Sequence, residues 1–320
     1  MAKALLYALL LAILAVSPFI GTVSLDPAEL LNPDALSHRV FFDLRLPRIG
    51  LAFFAGASLA LSGLLFQNIF RNVLMTPYTL GVSGGAVLGA GIAIKLGLGT
   101  LLFGIAAVSL FGFLGAVLTV MLLVWLSRYL RHGAQVSLLL LGIALSFFYT
   151  SALMLLYFIS DFVETATIMR FTMGSLSTIG YRWLLPVAVT ALLLLGFVWL
   201  RRFELQLLGV SDINAQLKGV DTRRLGIQLL LAASLAVGTL VSVTGPIGFV
   251  GLIVPHIVRL VYRRSVERLL LPTFVLGGLF LVAADALGRL IGGGSEIPIS
   301  IITALVGGPF FIYLILKSGK

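Results

Sequence analysis

Few residues in this chain have side chains able to do chemistry, so each can be weighed singly. Asp285, in "LVAADALGRLIGGG", is the sole acidic residue inside a long apolar run. A carboxylate at membrane depth is a functional-site candidate by default, here a proton or cation relay. Arg289 stands one helical turn further on, a spacing that lets the two side chains meet, and a structural ion pair is the favoured assignment. No second acid or histidine in a neighbouring apolar run completes a relay. The histidines are His38, His132 and His256, and cysteine is absent, which removes thiolate metal sites and disulfides. His256 follows Pro255 near Arg259, Arg263 and Arg264; with no second ligand at i+4 it reads as a capping or hydrogen-bonding residue rather than a metal ligand. "GVSGG" at 81–85 fits the nucleophile-elbow pattern, but that motif needs a strand–turn–helix context and His/Asp partners. Here it opens an apolar helix, and Gly81, Gly85 and Gly89 form a small-residue stripe where another helix can approach. "GASLALSG" at 56–63 does the same for the preceding apolar run. No G-x-x-x-x-G-K-[ST] occurs, so an ATP-driven process would need its ATPase on another polypeptide.

The elements that carry these residues are set by composition. Of 320 residues, 60% are hydrophobic and 11% charged, far below the charged quarter of soluble domains. The net charge of +10 belongs to inner loops rather than to nucleic-acid binding, because Lys and Arg accumulate on the cytoplasmic side of membrane proteins. Ten candidate spans lie at about 4–22, 47–67, 78–97, 101–126, 136–159, 183–200, 225–243, 246–262, 270–290 and 298–316. The first, "MAKALLYALLLAILAVSPFIG", has the look of a signal peptide but is long for one, and is read as an uncleaved helix. With both termini cytoplasmic, the inner loops take the larger share of the 22 Lys and Arg, and the acidic residues lean outward. The expectation is an all-α polytopic membrane protein of ten transmembrane helices, one transmembrane domain over 1–320.

Three loops are long. The external segment 23–46 is rich in Asp, Glu and Pro; the external segment 160–182 alternates apolar and polar residues and reads as a short surface helix. The internal segment 201–224, "RRFELQLLGVSDINAQLKGVDTRR", reads as two short helices separated by Gly219, the first from Ser211 to Leu217. Its apolar residues, Leu205, Leu207, Leu208, Val210, Ile213, Leu217 and Val220, exceed what a solvated loop needs, which points to a partner groove or a membrane surface. "GPIGFVGLIVPHIVRL" at 245–260 is too interrupted for a regular span. Non-helical backbone at membrane depth is tolerated where protein or a water-filled cavity covers it. The expected form is an extended entry through Gly245, Gly248 and Gly251, then a short helix from about Leu252 carrying Pro255 and His256 inward. A faint repeat, "GASLALSG" at 56–63 and "AASLAVG" at 232–238 in spans of opposite direction, hints at an inverted-topology transporter.

Four passages carry a more specific likeness. "RLPRIGLAFFAGASLALSGLLFQNIFRNVLMTPYTLGVSGGAVLGA" (45–90), "LLLLGIAL" (138–145), "LGVSDINAQLKGVDTRR" (208–224) and "GPIGFVGLIVPHIVRL" with the following "LLLPTFVLGG" and "AADALGRL" resemble the permease subunits of bacterial ABC importers for iron–siderophore complexes, haem and vitamin B12. The likeness runs in order from about residue 40 to the end; "RNVLMTP", where relatives more often show R-N-P-L, and the short N-terminus depart from it.

The resemblance implies a vitamin B12 importer permease-like homodimer in the inner membrane, with a central pathway on its two-fold axis. Two separate ATPase subunits would bind ATP and Mg inside, and a substrate-binding protein would dock outside; no cofactor resides in this chain. It implies docking pockets at Arg45, Arg48 and Arg289. It implies ATPase coupling through Leu208, Gly209, Ile213, Ala215, Leu217, Gly219, Val220, Arg223 and Arg224. Gln135, Val136 and Ser137 would stand at the cytoplasmic gate. The cargo implied is a ferric siderophore or haem, with cobalamin as the alternative. The rival from the residues themselves is an ion-driven secondary transporter using Asp285.

Overall fold

The computed structural model describes residues 12–21, 23, 25–99, 106–127, 129, 134–177, 179–292 and 297–318. Among them the chain is all-helical, as expected where backbone groups in hydrocarbon must satisfy one another. Residues 4–11 and 22 of the first candidate span, 4–22, lie outside the described residues; 12–16 are helical and Ser17–Phe19 form a 3-10 turn. Every later candidate span contains a helix.

The longest helix, α1 (Leu36–Ile69), runs for 34 residues. It begins well before the apolar stretch at 47, so the external segment 23–46 is helical over its second half rather than a loop. Pro47, a residue common at a first helical turn, does not mark the helix start. Instead the helix passes through it: Val40–Arg45 is π-helical and the Leu46 N–H donates to the Phe41 carbonyl. A proline has no N–H to give and crowds the carbonyl four residues back, and the wider turn takes up that mismatch.

Then follow α2 (Val82–Lys95), α3 (Ala107–Ser127), α4 (Ala134–Ile159), α5 (Phe162–Thr172), α6 (Leu184–Leu200), α7 (Arg202–Val210), α8 (Asp212–Leu217), α9 (Thr222–Thr244), α10 (Val250–Tyr262), α11 (Val266–Ile291) and α12 (Ile299–Ser318). Among the described residues α1, α3, α4, α9 and α11 are each long and apolar enough to cross a membrane, and α6 with α7 makes a sixth run bent by 72°. Helices α2, α10 and α12 are apolar but shorter. The surface helix expected in 160–182 is α5, closed by a capping box between Asp161 and Glu164. The internal segment 201–224 has the helix expected from Ser211 to Leu217 as α8, the turn at Gly219 and the basic stretch as the first turn of α9; what was not expected is the further helix α7, which a break at Ser211 separates from α8.

Burial sorts the helices. In the most apolar stretch of α1, 83% of residues are buried, against 11% for α4; α1 is the core and α4 the periphery of a single copy. Helices in lipid gain little from apolarity itself, so close packing at small residues has to hold them together. Gly56 of α1 meets Gly277 of α11, and Gly85 of α2 meets Gly115 of α3, each so closely that an added Cβ would strike the partner's carbonyl oxygen. Gly81 leaves the expected stripe: it is the left-handed residue (φ 78°) that starts α2. The two repeat-like stretches touch, with Ser62 Oγ 3.5 Å from the Ala233 carbonyl oxygen.

Candidate docking cluster, broken helix and coupling surface

At one end of α1, charge is concentrated and buried. Asp285, 3% exposed, takes Arg48 through Nη2 at 2.8 Å and Nε at 3.0 Å, and Arg289 through Nε at 3.0 Å. The expected Asp285–Arg289 pair is thus half of a three-member cluster; Arg48 comes from 237 positions away, beyond the reach of spacing arguments. Arg289 also donates to the Ser17 carbonyl at 3.0 Å and to the Ile20 carbonyl. Arg45, turned inward by the π-helical stretch and 6% exposed, donates to the carbonyls of Pro18 and Val23.

The three arginines expected to form open docking pockets are therefore closed in this structure. Their donors are taken by one carboxylate and by a strap of backbone around Ser17–Val23. The physical reason is that a buried guanidinium must be paired or it is costly, and the chain supplies the acceptors itself.

The second feature is the break between α9 and α10. The chain leaves α9 at Thr244, passes Gly245 with φ 69°, and re-enters helix at Val250 after Phe249, also left-handed at φ 65°. At Gly245 a Cβ would collide with the Phe171 carbonyl oxygen and approach Gly174 to 3.1 Å, so no other residue fits there. The freed backbone groups find partners: the Thr244 carbonyl accepts from the Ser175 N–H at 2.7 Å, and the Pro246 carbonyl from the Ser300 hydroxyl. A groove of about 190 Å³ beside the break is lined by Leu59, Tyr78, Ile247 and Phe249 among others.

Gly248 belongs to the non-helical stretch, whereas Gly251 lies inside α10, which begins at Val250, two residues before the expected start at about Leu252. Its reason for being glycine is the crossing with α1: a Cβ on Gly63 would overlap the Gly251 carbonyl, and one on Gly251 would come within 2.8 Å of the Leu59 carbonyl oxygen.

Pro255 sits four residues on and cannot donate to that same Gly251 carbonyl. The vacancy is filled from α1, where the side-chain amide of Gln67, 3% exposed, donates to it at 3.2 Å. His256 is half-buried on α10. Among the described residues no group of three or more His, Cys, Asp or Glu could hold a metal.

The third feature lies at the other end of α1. Asn68 Nδ2 donates to the Leu205 carbonyl at 2.8 Å, and Arg71 donates to the Leu208 carbonyl at 2.9 and 3.3 Å. Both carbonyls belong to α7, so α1 grips it directly. Gly209 lies against Asn68 with no room for a Cβ. Part of the apolar surplus of 201–224 is spent inside the chain, with Leu205 0% exposed and Leu208 4%; Ala215, a coupling candidate outside that surplus, is 0% exposed. That corrects the expectation that Leu208 and Ala215 face a partner. Leu217, at 81%, is exposed, as are Arg223, Arg224 and Gly219, while Val220 is half-buried. Gly219 turns the chain with φ 79°. Asp221 caps α9 by accepting from the Arg224 N–H at 2.9 Å, and a groove of about 380 Å³ runs past Arg223, Arg224 and Gln228. The side chains of Ile213, Gln135 and Val136 lie outside the described residues; Ser137 is half-buried near the start of α4.

Gln67, Asn68 and Arg71 are the residues that sequence reasoning passed over. Their signal is the "FQNIFRN" run, two amides inside an apolar helix, which cost free energy unless each has a partner.

These features are shared with known transporters. The FecCD transport family matches residues 9–317. The chain belongs to the FecCD transport family. It is 37% identical over 318 residues to the hemin transport system permease protein of Yersinia pestis, covering 97% of this chain and 93% of the relative. It is 34% identical over 305 residues to the vitamin B12 import system permease protein of Vibrio parahaemolyticus, covering 93% and 88%. A solved inward-facing structure of a metal-chelate type ABC transporter superposes with a TM-score of 0.84 at 32% identity, covering 98% of this chain and 97% of that one. This FecCD chain is accordingly a multi-pass membrane protein and the permease subunit of an ABC importer, a class that works with an ATPase and a substrate-binding protein.

Proposed function

We propose that this FecCD permease carries an iron chelate, a haem or a ferric siderophore, across the bacterial inner membrane as a homodimer with two ATPase subunits. The observation that carries the cargo assignment is the likeness to the hemin permease over nearly the whole chain. Ten transmembrane helices with both termini cytoplasmic is the arrangement that agrees with the charge bias. The homodimer reading is supported by α4, which exposes Leu140, Phe147, Phe148 and Phe158; its start, with Gln135, Val136 and Ser137, would form the inner gate on the two-fold axis.

The ATPase would seat against Leu217, Gly219, Val220, Arg223 and Arg224, with Leu208, Gly209 and Ala215 packed beneath as support. Arg45, Arg48 and Arg289 would meet acidic groups of the binding protein only once the Ser17–Val23 strap has yielded. An ion-driven reading through Asp285 is disfavoured by the pairing of both its oxygens with arginines.

The test is uptake into proteoliposomes holding the permease and its ATPase, with binding protein and cargo on the binding-protein side. ATP-dependent uptake of haem or a ferric siderophore is expected. Uptake of cobalamin alone would replace the cargo, and uptake on a proton or sodium gradient without the ATPase would overturn the assignment. Arg223→Glu should weaken ATPase association about tenfold or more, a charge reversal at an interface costing several kcal/mol; undiminished association removes that residue from the coupling surface.

A further inference from the structure

Away from these sites, a groove of about 620 Å³ opens where α6 passes into α7 and faces the hairpin between α10 and α11. It combines two chemistries. Trp199, Phe203 and Tyr262 supply aromatic surface; Arg202, Arg264 and Arg268 supply positive charge. Arg202 lies over both the Trp199 ring, 4.8 Å from its centroid, and the Phe203 ring, at 4.7 Å. Stacking uses the face of a guanidinium and leaves its in-plane N–H donors for an oxyanion. Glu267 is the groove's one acidic residue among those described; it accepts from the Ser265 hydroxyl at 3.2 Å and lies 3.6 Å from Arg268 Nε. The nearby acid Glu204 is held by Arg201 at 2.8 Å. Arg202 and Arg264 therefore keep an excess of positive charge in the groove.

Its position decides what that charge is for. The 72° bend between α6 and α7 turns the chain from crossing the bilayer to running along its surface. Trp199 stands at the bend, 43% exposed, and Leu200, Phe203 and Leu271 beside it are 81%, 61% and 49% exposed. Large apolar side chains left open beside unneutralised arginines suit neither water nor hydrocarbon alone. They suit the boundary layer, where tryptophan settles and basic pockets between helices take lipid head groups.

We infer that the groove formed by Trp199, Arg202, Phe203, Tyr262 and Arg264 is a binding site for the phosphate of an anionic phospholipid of the inner leaflet. The phosphate meets Arg202 and Arg264, and the glycerol and first acyl carbons lie on Trp199, Phe203 and Leu271. This inference rests on the membrane placement of the family and not on the cargo.

The experiment uses the full chain in nanodiscs, carrying Trp125→Phe and Trp183→Phe so that Trp199 is the remaining tryptophan. Brominated phosphatidylglycerol and brominated phosphatidylcholine are compared as quenchers of its fluorescence at increasing mole fraction. Phosphatidylglycerol is expected to quench in clear preference to phosphatidylcholine. Arg202→Gln and Arg264→Gln should each lower that preference about fivefold, the factor for one basic residue at a lipid surface. Arg202→Lys should retain most of it, and Arg170→Gln, on exposed α5, should leave it unchanged, which separates local charge from misfolding. Equal quenching by the two lipids in the parent, or an unaltered preference in the double Gln variant, overturns the site. Competition by millimolar soluble glycerol phosphate would assign it to a free phosphate instead. Loss of ATPase association in the Gln variants with lipid preference intact would make it a protein-docking surface, and the lipid assignment would fall.

Discussion

Gln67 and Pro255 make a prediction that depends on a single carbonyl. Pro255 removes the N–H that would bond to the Gly251 carbonyl in a regular helix, and Gln67 Nε2 replaces it at 3.2 Å. Replacing Gln67 by leucine keeps most of the volume and leaves the carbonyl unpaired. A buried polar group left so costs about 1–3 kcal/mol, while interhelical hydrogen bonds measured in a membrane protein average about 0.6 and reach about 1.7 kcal/mol. Gln67 Oε1 is itself buried without a partner, so leucine also relieves a cost, and the net loss should be about 1 kcal/mol.

Pro255→Ala returns the N–H to α10. In that background the Gly251 carbonyl has its helical partner and Gln67→Leu should cost close to nothing. The double-mutant cycle, read by equilibrium unfolding in SDS-containing mixed micelles, should therefore show a coupling of about 1 kcal/mol. Equal costs of Gln67→Leu in both backgrounds would refute the substitution of a side-chain donor for a backbone one.

Three further outcomes follow from the packing and charge. Gly63→Ala drives a Cβ into the Gly251 carbonyl and should destabilise by about 3 kcal/mol, the upper part of the overpacking range. By contrast Gly226→Ala, with nothing within 4 Å of its Cβ, should be neutral or gain up to about 1 kcal/mol; thermal midpoints in detergent compare the two. Asp285→Asn strands Arg48 and Arg289 and should cost about 3–5 kcal/mol, seen as a lower unfolding midpoint, without making uptake respond to a proton gradient. Glu164 has its carboxyl held below the ordinary value of 4.5, first by the hydrogen bond from Lys95 at 2.7 Å and then by the Asp161 N–H. Because the folded value is the lower one, its contribution to anchoring α5 is complete above 4.5 and is lost as pH falls through that lower value; amide exchange in α5 should rise there, and Lys95→Gln should flatten the dependence.

What the sequence discloses here is periodic and local. Apolar runs place the later helices because a bilayer fixes their length, and the glycines, prolines and charge at 245–260 announce an interruption because regular helix cannot accommodate them. The D-x-x-E at Asp161–Glu164 marks a helix start by its own chemistry. Long-range pairing leaves no such trace. Arg48 and Asp285 are 237 positions apart, so the arginines looked available when they are committed. In the same way Leu205 and Leu208 looked like a surplus awaiting a partner, whereas α1 and the neighbouring helices bury them. The early start of α1 escaped for a different reason: residues 36–46 are too mixed in polarity for an apolar-run reading to register the helical and π-helical turns they form.

The three features are joined by one element. Arg48, Gly63, Gln67, Asn68 and Arg71 all belong to α1 or its immediate end, and from Arg48 to Ile69 the rise of 1.5 Å per residue spans about 32 Å, close to the roughly 30 Å of a hydrocarbon core. The Asp285 ion cluster, the carbonyl that Pro255 cannot serve and the two carbonyls of α7 are thus fixed to the same rod. That rod is buried along most of its length and packed through glycine contacts that allow no slack. If the ATPase displaces α7 and α8, as proposed above, it cannot do so by bending α1 locally. It has to tilt or shift α1 as a body, together with α10 and α11, whose crossings with it are backbone to backbone. The more yielding parts are those that α1 holds without backbone crossings: the strap at Ser17–Gly21, tied to it by the Arg45 donor and the Phe19–Phe41 ring contact, and α4, which shares little buried surface with the core. Opening and closing of the pathway should accordingly appear as movement of α4 and of the strap relative to a rigid α1–α10–α11 unit. Distances between spin labels at Phe147 and Leu271 should change between nucleotide states, while those between labels at Leu271 and Leu290 should not; a change within the second pair would show that the unit is not rigid.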